Sequence, residues 1–149
     1  MLIEQGRHAE ALRALDQGAD PNAADGMGRT ALMYAGINGQ TDTMEALIRR
    51  GARIDARDRS GATPLHAAIM FGDPRAVRLL LAQGADLRAR WVLGAGDGVT
   101  PLALARLRQR QAPEKPFLDL RVRDGLLVEA VKSDYEQIVR LLQGAGATE

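Results

Sequence analysis

Two histidines, His8 and His66, and no cysteine bound the chemistry open to this chain. Without a thiol there is no disulfide, no thiolate metal site and no thiol nucleophile, although the compartment stays open. A metal would need a histidine joined by several carboxylates. No such ligand spacing occurs, so no metal site is expected. Ser60 and Ser133 have no local base to activate a hydroxyl. Gly94-x-Gly96-x-Gly98 is like a phosphate loop only in its glycines. It lacks the P-loop lysine and the dinucleotide spacing, and reads as a flexible turn. No catalytic residue and no cofactor is expected.

Arginine is the other chemical feature. Arg106, Arg108, Arg110, Arg121 and Arg123 make a basic segment, yet the formal net charge is only +1. No nucleic-acid recognition motif accompanies the run, so a solvated face or attraction to an acidic protein patch is the better reading. No apolar run is long enough to span a membrane. Neither nucleic acid nor membrane is expected as a partner.

The residues around His66 say what positions all of this. Thr63-Pro64-Leu65-His66-Ala67-Ala68 is followed by Gly72, by Val77-Arg78-Leu79-Leu80-Leu81 and by Gly84-Ala85-Asp86. The same order runs one period earlier through Thr30-Ala31-Leu32-Met33-Tyr34-Ala35, Gly39, Met44 to Ile48 and Gly51-Ala52. Thr30 and Thr63 lie 33 residues apart, as do Gly18, Gly51 and Gly84. A fixed period of this length marks stacked units, not one wrapped core. Threonine then proline suits a helix start, because the hydroxyl caps a free N–H and proline loses no needed donor. Gly72 and Gly84 can supply the left-handed turn that ends a helix. Leu65, Val77, Leu80 and Leu81 follow helical spacing and are expected in the core. Residues 52–57 and 85–90 read as extended arms leading to tight turns, with Asp25, Asp58, Gly28 and Gly61 at the tips.

These motifs resemble the ankyrin repeat family, strongly over 18–106 and weakly over 107–134. The resemblance implies an all-α solenoid of helix–turn–helix units joined by β-hairpin-like loops. It divides the chain into a partial repeat at 1–24, repeats at 25–57 and 58–90, an irregular repeat at 91–120 and a closing repeat at 121–149. Within the family motif, His66 is expected to hydrogen-bond between neighbouring repeats. Arg53 and Arg88 stand where the family usually has Asp and Asn.

Two departures matter. Thr63 to Thr100 is 37 residues, four beyond the period, and the excess falls around Trp91 to Gly98. Insertions in such arrays map to loops, often on the binding side. After Arg106 the pattern weakens, and Pro113 and Pro116 stop the helix. Leu126 to Val131 then looks like the first helix of a closing unit, and Ile138 to Leu142 like its second. The alternative keeps one fourth repeat with a 25-residue insertion between its helices, since Thr100 to Val139 is 39 residues and Thr63 to Val77 is 14. The threonine that should open the first repeat would precede Met1. Either that repeat is a shortened cap or the natural chain is longer.

In ankyrin-like stacks the partner meets the hairpin tips and the concave face of the first helices. The resemblance therefore puts Met27, Arg29, Ile37 and Asn38 on this face, then Arg59, Ser60, Met70 and Phe71, then Arg90, Trp91, Leu107 and Arg108. Ile37, Met70, Phe71 and Trp91 would form an apolar stripe flanked by Arg57, Arg59 and Arg90. The competing use is internal, with Phe71 and Trp91 packing on the loop at 107–120. The expected function is non-catalytic binding of another protein, by a monomer. Its sharper form is an inhibitor or immunity-type protein for a co-produced enzyme or toxin, as some small bacterial ankyrin proteins are. The alternative is a regulatory or targeting domain excised from a larger chain, which could be catalytic. The expected compartment is cytoplasmic, or periplasmic or secreted if a leader was trimmed before Met1.

Overall fold

The computed structural model describes residues 8–92, 96–114 and 132–148, with side chains from residue 12 onward. Among them are seven helices: α1 (His8–Asp16), α2 (Ala31–Ile37), α3 (Thr41–Arg49), α4 (Pro64–Phe71), α5 (Pro74–Ala82), α6 (Pro101–Gln111) and α7 (Lys132–Gly144). No strand occurs among the described residues. Two isolated antiparallel bridges, Ala24 with Thr30 and Trp91 with Val99, close the first and third tips.

The helix boundaries follow from side-chain chemistry. Thr30 Oγ1 accepts the Met33 N–H at 3.4 Å, and Thr100 Oγ1 accepts the Ala103 N–H at 3.3 Å. Pro64, Pro74 and Pro101 each occupy the first turn, where a missing N–H costs nothing. Gly72 ends α4 with φ of +81°. After α1, α3, α5 and α7 the chain turns on Gly18, Gly51, Gly84 and Gly146, all with positive φ. In each case the next N–H returns to a carbonyl five residues back: Ala19 to Ala14, Ala52 to Leu47, Ala85 to Leu80 and Ala147 to Leu142. That bond is the six-to-one closure of a Schellman motif.

The helices form two layers. In the inner layer α2 packs on α4 and α4 on α6. In the outer layer α1 packs on α3, α3 on α5 and α5 on α7. The layers join pairwise through α2–α3, α4–α5 and α6–α7. Helix α7 therefore stands to α6 and α5 as α5 stands to α4 and α3. The first helix expected for a closing unit, at 126–131, lies outside the described residues.

Burial repeats with the period. Leu32, Leu65 and Leu102 are sealed in the inner layer, and Leu47, Leu80 and Leu142 in the outer. Ala35, Ala68 and Ala105 are fully buried where inner helices meet. Their small size permits close approach: a Cβ added at Gly36 of α2 would lie 3.3 Å from the backbone nitrogen of Ala68 in α4. The arms are stitched by side chains. Asn22 donates to the Gly51 carbonyl at 3.0 Å and accepts the Arg53 N–H at 2.7 Å, and Asp55 accepts the Asp86 N–H at 2.8 Å.

Candidate protein-binding face

The first two tips are each wound around one aspartate. Asp25 accepts the N–H groups of Met27 and Arg29 at 2.8 and 2.9 Å, and also the Tyr34 hydroxyl at 2.7 Å and Arg29 Nε at 2.9 Å. The Arg29 backbone N–H, then the Tyr34 hydroxyl, hold its carboxyl far below the usual carboxylate range. Asp58 repeats the design. It accepts the Ser60 N–H, the Ser60 hydroxyl and the Ala62 N–H at 2.8, 2.6 and 3.0 Å. One period on, the register position belongs to Trp91, which cannot accept such bonds. The third tip is held differently. Trp91 and Val99 exchange N–H···O bonds of 3.0 and 2.8 Å, and Arg90 Nη1 donates to the Asp97 and Gly98 carbonyls at 3.2 and 3.4 Å.

The tips are tied into a ridge. Met27 O accepts the Arg59 N–H at 2.9 Å, and Ser60 O accepts the Val92 N–H at 2.8 Å. His66 ties the third tip to α4. Its Nδ1 accepts the Thr63 N–H at 3.3 Å, so that nitrogen carries no proton. Nε2 must then be the donor to Val99 O, 3.1 Å away on the following unit. This is the inter-repeat bond the resemblance implied. The imidazole is fully buried, and its burial lowers the pKa from 6.5 while the Val99 bond opposes that shift. The Trp91 ring meets it edge-on, 5.9 Å between centroids at 72°.

The expected site residues divide by exposure. Met27 is 52% exposed and Ile37 43%, and Arg59 and Arg90 are also exposed. Arg29, Asn38, Ser60, Met70, Phe71 and Trp91 are half-buried. Several of these already have work inside the stack. Arg29 is paired with Asp25 at 2.9 Å and lies over the Tyr34 ring at 4.9 Å. Ser60 completes the Asp58 turn. Met70 and Trp91 pack against the core, and Met70 O accepts the Tyr135 hydroxyl at 3.4 Å. Phe71 seats on the neighbouring unit, where a Cβ added at Gly39 would lie 2.2 Å from its ring. Phe71 thus has Gly39 as an internal neighbour, and Trp91 has His66. Arg57, expected to flank the stripe, is instead ion-paired with Asp86 at 3.1 Å.

The apolar surface that remains forms two lines. Ile37 on α2 and Leu107 on α6, the latter 41% exposed, share one register position with the half-buried Met70 on α4. Met27 and Val92 add apolar surface along the tips, Val92 at 44% exposure. Val92 was not singled out from sequence. Its signal was the apolar run Trp91-Val92-Leu93 inside a lengthened tip, where a solvated turn calls for polar residues.

A family model described as ankyrin repeats in three copies matches residues 1–90, and the chain belongs to the ankyrin repeat family. Ankyrin repeats are generally protein–protein interaction modules and are typically non-catalytic. Among the described residues no group of three or more histidine, aspartate or glutamate side chains is placed to hold a metal. None of their helices is long and apolar enough to cross a membrane.

Proposed function

We propose that this chain is a non-catalytic recognition module that seats one protein partner across its tips and inner helices. The supporting observation is the row Ile37, Met70 and Leu107, one register position on three inner helices, where Ile37 and Leu107 are exposed and Met70 is half-buried between them. Exposed apolar surface of this kind generally marks an interaction site. The mechanism is rigid presentation. The Met27–Arg59 and Ser60–Val92 backbone bonds and the His66–Val99 bond order the ridge beforehand, so binding loses little backbone entropy. In its sharper form, the partner is a co-produced enzyme or toxin that the chain inhibits or neutralises.

Affinity capture from the native host, with the wild type and an Ile37→Glu/Leu107→Glu variant side by side, tests the reading. A protein retained by the wild type and lost by the variant is expected. Adding the chain to that protein, if it is an enzyme, should suppress turnover. A captured set indifferent to both substitutions would refute the face.

A further inference from the structure

We infer that the partner presents an acidic protein segment bearing apolar side chains, its apolar groups on the Ile37–Met70–Leu107 row and its carboxylates at Arg59, Arg90 and Arg110. This rests on the proposed binding face and names the chemistry that face would select.

The asymmetry of charge carries the inference. On the first two tips the carboxylates are turned into their own loops. Asp25 is engaged at both oxygens by the Met27 and Arg29 N–H groups, the Arg29 side chain and Tyr34, and Asp58 through Oδ1 by the Ser60 and Ala62 donors. The arginines are disposed the other way. Arg59, Arg90 and Arg110 are exposed, and no described carboxylate forms an ion pair with any of them. Arg90 is anchored through one nitrogen to backbone carbonyls, which leaves its charge uncompensated by that contact. Asp97 is an exposed acid on the third tip, so the basic character there belongs to individual side chains and not to a uniform field.

The inner helices extend the pattern. Neither α2 nor α4 carries a charged side chain, since His66 of α4 is buried and neutral. Helix α6 carries Arg106, Arg108 and Arg110 and no acid. Arg108 is engaged by Tyr135, donating to its hydroxyl at 3.3 Å. Arg110 lies three residues beyond Leu107, on the same side of the helix. The face is thus apolar at its centre with arginines at the tip side and at the end of α6. A guanidinium fork matches a carboxylate in two parallel hydrogen bonds, and apolar anchors beside it favour a protein over a phosphate backbone.

The test uses the whole chain and three synthetic peptides of equal length: leucine with glutamate, leucine with lysine, and serine with glutamate. A single-stranded oligonucleotide is the fourth probe. Binding is read by amide NMR titration at low and physiological salt. The leucine–glutamate peptide is expected to bind most tightly and to shift Ile37, Met70, Leu107, Arg59 and Arg90. Physiological salt, and separately an Arg59→Glu/Arg90→Glu variant, should each weaken it by about tenfold or more. Equal binding of the lysine peptide on the same residues, or indifference to salt and charge reversal, would overturn the acidic partner while leaving the face intact. Tighter binding of the oligonucleotide would do the same. Shifts confined to α3, α5 and α7, or none at millimolar peptide, would overturn both.

Discussion

The two helical layers come from one repeat yet meet water in opposite ways. The outer helices satisfy their exposed sides with charge. Glu45 and Arg49 pair along α3 at 3.6 Å, Glu136 and Arg140 along α7 at 4.0 Å, and Asp73 and Arg75 at the start of α5 at 2.8 Å. Arg50, just after α3, reaches Asp16 at the end of α1. The inner helices are built otherwise. Helices α2 and α4 carry no acidic or basic side chain but the buried, neutral His66, and α6 carries three arginines and no acid of its own. Since both layers bury leucines equally well, this difference has nothing to do with core stability. The outer layer is a surface finished by solvent, and the inner layer is the one we propose a partner completes.

The sharpest way to break the comparison is to attack the shared core. Leu80→Ala in the outer layer and Leu65→Ala in the inner layer should each cost about 2–5 kcal/mol through a cavity, measured by denaturant unfolding. A much smaller loss at either would show that one layer is not packed as described. Gly39→Ala comes next. Its φ is +65° and the new methyl would strike the Phe71 ring, so a loss of about 1–3 kcal/mol is expected. Combining it with Phe71→Ala should recover part of that loss. Strict additivity would mean the ring does not seat there.

Acid should separate the third tip from the first. Between 6.5 and the depressed value of folded His66, the unfolded chain binds a proton that the folded chain refuses. The stabilising contribution of neutral His66 is therefore complete above pH 6.5 and is lost as pH falls below it. Protonation would put a donor on Nδ1 against the Thr63 N–H. Charged groups acting on the ring are Arg57, which favours the neutral form, and Asp58 and Asp86, which oppose it. Asp25 acts in a lower window. Its contribution is complete above its ordinary value of 3.8 and is lost only as pH falls below that. Melting temperature against pH should show both limbs, with His66→Gln removing the upper and Asp25→Asn the lower. An upper limb that survives His66→Gln would refute the assignment. The smallest effect belongs to the outer surface: Glu136→Gln should change stability by no more than about 0.5 kcal/mol, as exposed helical pairs do.

Much of the fold was legible because a repeat writes the same local rule several times. Threonine–proline starts, glycine stops and buried leucines each recur at a fixed offset, so one instance checks another. The contacts that crossed repeats were harder. That Trp91 occupies the register of Asp25 and Asp58 follows from counting, but its edge-on seat against His66 does not. Phe71 and Gly39 each stand out in the sequence, yet their contact joins two units and leaves no local period. Helix α7 was recognised as helical, while its place beside α6 depends on packing across an interruption of the repeat. At the site, sequence supplied the row but could not separate Ile37 and Met27, which remain exposed, from Arg29 and Ser60, which complete the turns.

The central claim is that the inner layer binds and the outer layer does not. It is tested most directly by the affinity of the captured partner for two double variants, Ile37→Ser/Leu107→Ser and Arg78→Ser/Arg140→Ser, all at exposed positions. Binding should weaken by about 1–3 kcal/mol for the first pair and stay unchanged for the second, with folding intact in both. Full affinity for the first pair, or loss confined to the second, would contradict the account.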